Sequence, residues 1–329
     1  MSRTLTWLLL ALLALAACTP DDTTAAAPPG PSAAASAAPP APAGPGCLPV
    51  PDCYGRPERS GVFDVEVVPE ASGLAASVRN PGLLYLLNDG PETEGVWVLR
   101  PDGTLLGLLR LTGLDPRDTE GLAVGPCAPG DPGSCLYVGD MGDNVGGREA
   151  IRVHRALEPD LAAGVPAEAI GADSVALRYP QGVANAEALL VDDAGAVHVV
   201  TKAVFDEDAR VTGPTWLYRA DAWADGDLVA LGELPVPQPA LPLAASFVGN
   251  VVTGGDARAG RVLLRTYDHV LDFTPPQPGA PLATLGTWPV AEVPGGSQRQ
   301  SEAVAWAVDR CGYWTVGEGS GDIWFIGCS

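Results

Sequence analysis

Three short apolar strands of this chain begin with a glutamate and lead into a hairpin. The glutamates are Glu120, Glu187 and Glu302, in the segments DTEGLAV, NAEALLV and SEAVAWA. Strand units of one kind that recur at intervals of tens of residues are typical of propellers and other repeat architectures. Since each unit carries its charged residue at the same position, we expect the three carboxylates to meet on one face of the fold. The repeat indicates where function lies, but it does not indicate a reaction.

The globular part of the chain is predicted to be all-β, because short apolar strands alternate with turns rich in Gly, Pro and Asp. Aligning the hairpins gives five units, each headed by one residue of its first strand. The five heads are Ser72, Glu120, Glu187, Thr253 and Glu302. The fourth strand of the fourth unit is predicted at residues 283–290. The fifth unit lacks a fourth strand, and residues 62–68 near the start are predicted to supply it. We therefore predict a single five-bladed β-propeller closed by an N-terminal strand, with six blades as the alternative.

The heads should form a ring, because the first strand of each propeller blade lines the central channel. The ends of the second strands should form a neighbouring ring of Asp89, Asp140, Lys202, Arg265 and Glu318. Three glutamates on one axis repel each other. A bound cation, the two basic residues, or protons on carboxyls of raised pKa could each offset this charge. Lys202 is the only lysine of the chain, which favours a role that needs a compact charge, although chance survival of one codon is the alternative.

The turn at residues 139–144, with the sequence GDMGDN, is a candidate calcium site. Asp140, Asp143 and Asn144 offer oxygen ligands there, and Glu120 would add a fourth. Ca²⁺ accepts six to eight oxygens in irregular geometry. The spacing is not that of an EF-hand, and an ordinary Asp/Asn turn explains the segment equally well.

The charge and the motif content exclude several classes of function. A net charge of −21 at pH 7 argues against nucleic acid and anionic membrane surfaces as partners. The sequence contains no GxSxG motif, no phosphate-binding glycine loop and no HExxH motif. The three histidines fall inside predicted strands, so a catalytic triad is not expected.

The first 46 residues are predicted to be a targeting segment and a tether. Residues 1–17 have the features of a signal peptide, with Arg3 before an apolar stretch too short to span a bilayer. Their last three residues and Cys18 read LAAC, which resembles the lipobox of bacterial lipoproteins and implies that Cys18 carries lipid; plain secretion is the alternative. Residues 18–46 are nearly all Ala, Pro, Ser, Thr and Gly, which predicts a disordered tether. Residues 47–329 are predicted to be the propeller domain.

Six cysteines remain when Cys18 is set aside from the seven of the chain, which fits an oxidising compartment. Six cysteines allow fifteen pairings, and we expect neighbours in the strand layout to pair. The predicted disulfides are Cys47–Cys53, Cys127–Cys135 and Cys311–Cys328. A zinc site is the alternative, but the sequence has neither a CxxC motif nor clustered histidines.

The motifs SGLAAS, LLND, DTEGLAVG, LYVGDMGDN and SEAVAW, with TGGD and LLRTY in the fourth unit, resemble those of a group of secreted bacterial β-propeller lipoproteins. This resemblance covers nearly the whole mature domain and brings no established activity. The lipobox resemblance implies anchorage in the bacterial cell envelope, and Thr19 after Cys18 is compatible with sorting to the outer membrane, at its periplasmic or surface face. More loosely, the acidic channel is similar to phytase-like and gluconolactonase-type propellers, whose channel carboxylates hold calcium or another divalent ion. The Ca²⁺ ligands implied by that similarity are Glu120, Glu187, Glu302, Asp140 and Asp143. Ser72 and Thr253 depart from the acidic pattern.

Two functions are compatible with these observations. The first is a monomeric, lipid-anchored propeller that binds a small molecule or a protein at its channel, with Ca²⁺ as a structural ion. The second is a metal-dependent hydrolase of a phosphate or lactone ester. The metal would activate water there, and a channel carboxylate would act as the base. The candidate catalytic residues are Glu120, Glu187, Glu302, Lys202 and Arg265. Glu120 or Glu302 would act as the base, and Lys202 or Arg265 would hold the anion.

Overall fold

The computed structural model describes residues 53–144, 146–203, 205–206, 211–237, 250–298 and 300–328. The predicted signal peptide, Cys18, the tether and Cys47 lie outside these residues. Within them the chain consists of short strands and turns, with a 3-10 helix at Leu282–Thr287. No helix of the described part is long and apolar enough to cross a membrane.

The strands assemble into five antiparallel blades. The first strand of the chain, β1 (Glu58–Val62), belongs to the last blade. Blade 1 consists of β2 (Ala71–Ala76), β3 (Leu84–Asn88), β4 (Gly95–Leu99) and β5 (Leu105–Arg110). Blade 2 consists of β6 (Thr119–Pro126), β7 (Ser134–Asp140), β8 (Ile151–Leu157) and β9 (Ala172–Arg178). The next part of the chain contains β10 (Ala186–Val191), β11 (Val197–Thr201), β12 (Phe205–Asp206), β13 (Val211–Thr212), β14 (Thr215–Arg219), β15 (Gly226–Asp227) and β16 (Val229–Leu234).

Blade 3 is formed by β10, β11, β14 and β16, whereas β12 and β13 pair with each other and β15 extends blade 2 beside β9. Blade 4 consists of β17 (Val252–Arg258), β18 (Arg261–Thr266), β19 (Val270–Phe273) and β20 (Val290–Val293). Blade 5 consists of β21 (Gln300–Trp306), β22 (Gly312–Glu318), β23 (Asp322–Gly327) and β1. The predicted all-β fold, with five blades and an N-terminal strand that completes the last one, is confirmed.

The apolar core is a ring of five clusters, one between each pair of neighbouring blades. The cluster between blades 5 and 1 closes the ring, because Trp314 and Ile323 of blade 5 pack with Leu74 and Leu86 of blade 1. Each blade buries both faces in this way. This explains why the inner strands are buried along nearly their whole length and do not alternate between buried and exposed residues.

The closing strand lies earlier in the chain than predicted. Residues 62–68 were expected to form it, but the strand ends at Val62. Asp64 ends it, because its carboxylate accepts the backbone N–H of Glu66 at 2.9 Å and its carbonyl accepts that of Val68 at 3.0 Å. This turn redirects the chain so that Val68 becomes buried in the cluster between blades 5 and 1.

The outer strand of blade 4 also differs from the prediction. Residues 283–290 were expected to form it, but most of them belong to the 3-10 helix, and β20 begins only at Val290. Thr284 donates its backbone N–H to the Pro281 carbonyl at 2.8 Å. The helix buries Leu282 and Leu285 against blades 3 and 4. The apolar residues that indicated a strand thus belong to a turn that packs on the core.

The disulfides correct two of the three predicted pairs. Cys127–Cys135 is confirmed, with its Cα atoms 5.0 Å apart. Cys53 pairs with Cys328, Cα to Cα 5.1 Å, so the predicted pairs Cys47–Cys53 and Cys311–Cys328 are wrong. The reason is the closure of blade 5, which lays the start of the described chain along β23. This pairing of the two ends could not be read from sequence neighbours.

Candidate functional site

A β-bulge lies at the head residue of every blade. The register between the two innermost strands shifts at Ser72, Glu120, Glu187, Thr253 and Glu302. A bulge leaves one residue outside the hydrogen-bonded ladder and re-aims its side chain. The five heads therefore occupy equivalent positions at one end of the channel, as the repeat predicted.

The two hydroxyl heads fasten neighbouring blades together. Ser72 donates its hydroxyl to the Thr119 carbonyl of blade 2 at 3.0 Å. Thr253 donates to the Ser301 carbonyl of blade 5 at 2.9 Å. In both cases the acceptor is the residue that precedes the glutamate head of the next blade. The departure from the acidic pattern thus has a structural reason.

A cavity of about 270 Å³ opens at this end of the channel. It is walled by six carboxylates and one ammonium group, with an asparagine, a glutamine, a serine and a phenol among the other side chains. The members are Glu70, Ser72, Asp89, Glu120, Asn144, Glu187, Lys202, Tyr267, Gln300, Glu302 and Glu318. We call it the acidic cavity. Seven of the ten residues predicted for the two rings line it.

Lys202 neutralises one glutamate of the acidic cavity. Its ammonium lies 2.5 Å from a carboxylate oxygen of Glu187 and donates to the Tyr267 hydroxyl at 2.9 Å. Burial by itself would lower the pKa of Lys202, but Glu187 and Tyr267 raise it above the ordinary value. Lys202 is therefore a charged group whose partner is already determined.

Glu120 belongs to a cluster of three carboxylates. Oxygens of Asp89, Asp118 and Glu120 all lie within 4.8 Å of one another. Glu120 is only 7% exposed, and no described residue donates a hydrogen bond to its carboxylate. One carboxylate oxygen of Asp89 is also buried without a hydrogen-bond partner among the described residues. Three carboxylates thus lie close together here, and carboxylate oxygens are the ligands that hard cations prefer.

The pKa values of four carboxyls that line the acidic cavity lie above the ordinary range. Burial raises the pKa of Glu120 to about 11, with Glu187 and Asp89 adding to the shift. Burial also raises the pKa of Glu302 to about 8 and that of Glu187 to about 7. The pKa of Asp89 rises to about 7 through burial and the neighbouring Asp118. Protons thus offset part of the charge when the cavity holds no cation.

The remaining predicted residues have partners outside the acidic cavity. The Arg265 guanidinium donates to Gln298 at 3.0 Å and to the Ser301 hydroxyl. Asp140 forms an ion pair with Arg148 at 2.5 Å. Asp143 lies 3.3 Å from Arg117 and accepts the backbone N–H of Arg148 at 3.0 Å. Of the predicted turn ligands, Asn144 and the added Glu120 line the cavity.

Asp140 holds the backbone of Asp118 in place beside the carboxylate cluster. It accepts the backbone N–H of Arg117 at 3.0 Å and that of Asp118 at 2.9 Å. The Asp118 carbonyl in turn accepts the N–H groups of Met141 and Gly142 at 3.0 and 3.1 Å. The turn predicted as a calcium site therefore positions Asp118 beside Asp89 and Glu120.

Sequence reasoning missed Glu70, Asp118, Tyr267 and Gln300. Asp118 left a signal, since it stands two residues before Glu120, and side chains two apart in an extended segment point to the same side. Glu70 and Gln300 also stand two residues before a head, Ser72 and Glu302 respectively. In blades 1, 2 and 5 the residue two positions before the head thus belongs to the site.

Two disulfides in the described chain indicate an oxidising, extracytoplasmic compartment. Comparison with protein-family models gives no match, and comparison with curated proteins gives none either. One similar structure is that of a candidate gluconolactonase, 14% identical with a TM-score of 0.37, over 75% of this chain and 71% of that one. Another is the β-propeller domain of Cps50 (Swd1) from Myceliophteria thermophila, 12% identical with a TM-score of 0.39, over 84% of this chain and 99% of that one. The propeller fold and the blade count are established here by the hydrogen-bonded sheets themselves.

Proposed function

We propose that this protein is a lipid-anchored, extracytoplasmic propeller that binds a ligand in the acidic cavity through a divalent cation. Asp89, Asp118 and Glu120 would hold the cation. The observation that carries the proposal is Glu120, a carboxylate buried in a solvent-connected cavity with neither a counter-ion nor a hydrogen-bond donor among the described residues. A buried carboxylate is costly unless it is paired, protonated or bound to a metal.

The charge balance of the cavity supports a cation. Lys202 is the one basic residue of the described cavity wall, and Glu187 engages it at 2.5 Å. Arg265, the other predicted counter-charge, bonds to Gln298 and Ser301. The cluster around Glu120 is thus left with protons or a bound ion to offset its charge.

The donor set favours Ca²⁺ over a softer metal. Three carboxylates supply hard oxygen ligands, and Ca²⁺ takes six to eight oxygens and accepts water among them. The open side of the cavity would leave coordination positions for water and for an oxygen of the ligand. Lipid on Cys18 would anchor the protein to a membrane, with residues 18–46 as the spacer.

Calorimetry tests the cation. Binding must displace protons, since the pKa of Glu120 is about 11 and that of Asp89 about 7. We expect about one to two protons to be released per Ca²⁺ at pH 7, measured by isothermal titration in two buffers of different ionisation enthalpy. Mn²⁺ and Mg²⁺ serve as comparison ions. Absence of heat and of a thermal shift with all three ions refutes the cation.

A pair of matched variants tests the ligand set. Asp118→Asn removes a charge from the proposed cluster, and we expect it to weaken Ca²⁺ binding at least tenfold. Asp143→Asn removes a charge from the turn that the sequence suggested. Its amide oxygen can still accept the backbone N–H of Arg148, whereas the contact of the other carboxylate oxygen with the half-exposed Arg117 side chain is lost. We expect this variant to bind as the natural protein does. The opposite result would return the site to the turn.

A metal-dependent hydrolase of phosphate or lactone esters is the second candidate. The observation that favours it is the Lys202–Tyr267 pair, an ammonium 2.9 Å from a phenol on the cavity wall. Both groups can donate a hydrogen bond to a phosphate or carbonyl oxygen. Glu120 or Glu302 would act as the base. An esterase and phosphatase panel with Ca²⁺, Mn²⁺ or Mg²⁺ tests this. Turnover that Glu120→Gln removes supports the hydrolase, and no turnover excludes it for these substrates.

A further inference from the structure

A second cavity, of about 330 Å³, lies at the opposite mouth of the channel. The ends of all five innermost strands contribute to it. The residues that mark these ends are Ala76, Pro126, Val191, Arg258 and Trp306. This volume falls within the range of small-molecule pockets. We call it the lower cavity.

The lower cavity is separate from the acidic cavity. Between them the innermost strands meet on the axis and leave no room for a water molecule. This constriction is lined by Gly73, Leu122, Leu189 and Gly254, among others. A ligand in one cavity therefore has no path along the axis to the other.

One buried carboxyl, that of Asp256, lines the lower cavity. It stands three residues after the head Thr253, a position that is apolar in the four other blades. Those equivalents are Ala75, Ala123, Leu190 and Ala305. Asp256 is 8% exposed, so blade 4 places a carboxylate where the propeller repeat otherwise places core.

The carboxylate of Asp256 has few partners. One oxygen accepts the backbone N–H of Trp306 at 2.8 Å. No ion pair joins Asp256 to a basic residue in the part of the chain that the structure describes. Burial raises the pKa of Asp256 to about 7, although the Trp306 N–H and the charge of Arg258 both lower it. A cationic group from outside would offset the cost of burying this charge.

The rest of the wall is largely apolar. Ala76, Val78, Val124, Val191 and Trp306 line it. The charged groups at the rim are Asp131, Asp193 and Arg258. Asp131 and Asp193 accept the backbone N–H groups of Gly133 and Ala259 at 2.8 and 3.1 Å. The carboxylates outnumber the guanidinium, so the field at the mouth favours a cation.

We propose that the lower cavity binds a small primary amine with an apolar body. Its ammonium contacts Asp256 in the depth of the cavity. Its apolar part lies against the valines and Trp306.

The test compares two probes of one shape. The full chain is titrated with 2-phenylethylamine and with 2-phenylethanol at pH 8, where both Asp256 and the ammonium are charged. We expect the amine to bind at least tenfold more tightly. We expect Asp256→Asn, which keeps an acceptor for the Trp306 N–H, to remove that difference and leave the alcohol within twofold. Equal affinities of the two probes, or an amine affinity that Asp256→Asn leaves intact, overturn the proposal.

Two further variants cover the remaining outcomes. Amine binding in the acidic cavity would be lost in Glu120→Gln, and that result also overturns the proposal; we expect a change of less than about twofold. Val78 is 41% exposed at the mouth. Val78→Trp should therefore block entry of both probes without disturbing the fold, which decides the question if Asp256→Asn does not fold. Unchanged binding in that variant places the probe elsewhere and refutes the site.

Discussion

The disulfide Cys53–Cys328 should stabilise the protein far more than Cys127–Cys135 does. In the chain-entropy treatment, a disulfide stabilises by restricting the unfolded chain, and its contribution grows with the logarithm of the loop that it closes. The two disulfides close loops of 275 and 8 residues, which corresponds to about 5.6 and about 2.5 kcal/mol at 25 °C. The expected difference is about 3 kcal/mol.

The folded state should change little when the longer disulfide is removed. Strand β1 stays paired with β23 through its own hydrogen bonds, and Gly55 donates its N–H to the Gly327 carbonyl at 2.8 Å. The ends of the ring are thus held together by the sheet. Removal of the disulfide should therefore lower the stability mainly by increasing the conformational entropy of the unfolded chain, in which a loop of nearly the whole domain is no longer closed.

Urea unfolding of two double variants measures the difference. Cys53→Ser with Cys328→Ser removes the ring closure, and Cys127→Ser with Cys135→Ser is the matched control with the same chemical change. We expect the first to lose about twice as much unfolding free energy as the second, with similar m-values. Equal losses, or a larger loss in the control, would refute the loop-length reasoning. A lower m-value in the first variant would show instead that blade 5 has opened.

Three further outcomes are expected. Lys202→Met leaves Glu187 buried without its partner and should cost about 3–5 kcal/mol of unfolding free energy at neutral pH. Adding Glu187→Gln to the same chain should recover most of that loss, and a double variant no more stable than the single one contradicts this. The pKa of Glu302 is raised to about 8 in the folded protein. Ionisation of Glu302 therefore destabilises the fold as the pH rises from the pKa of the residue in the unfolded chain to its pKa in the folded protein. Glu302→Gln should therefore equal the natural protein in stability at pH 4 and exceed it at pH 9, as thermal unfolding across pH would show. Gly254→Ala places a Cβ 2.4 Å from the Glu302 carbonyl oxygen and should cost about 1–3 kcal/mol, whereas a neutral result would mean that the two blades can separate.

The blade count was predictable because each blade repeats the same local pattern of apolar strands and turns. Where local chemistry competed with that pattern, the prediction was wrong. The carboxylate of Asp64 turned the chain before the predicted closing strand. The backbone hydrogen bond from Thr284 to Pro281 belongs to a helical turn, which replaces most of the predicted outer strand of blade 4. Apolar runs of this length do not distinguish a strand from a short buried helix.

The candidate site was partly predictable for the same reason. The heads could be aligned, so Glu120, Glu187 and Glu302 were identified as one ring. The division of roles among them could not be predicted, because it depends on which side chains meet across the blades. Lys202 pairs with Glu187 at 2.5 Å, and Glu120 is left with Asp89 and Asp118.

The sequence by itself determined that five Glu-, Ser- or Thr-headed hairpins form one ring, because strand periodicity and turn residues act over a few neighbouring positions. Only the tertiary structure decided which cysteines pair, which carboxylate has a counter-ion and which one does not. Those outcomes depend on contacts between residues as far apart as Cys53 and Cys328, and closure of the ring brings such residues together. The bulge at each head connects local sequence with tertiary structure, since a local irregularity of one strand turns the side chain of the head toward the shared axis.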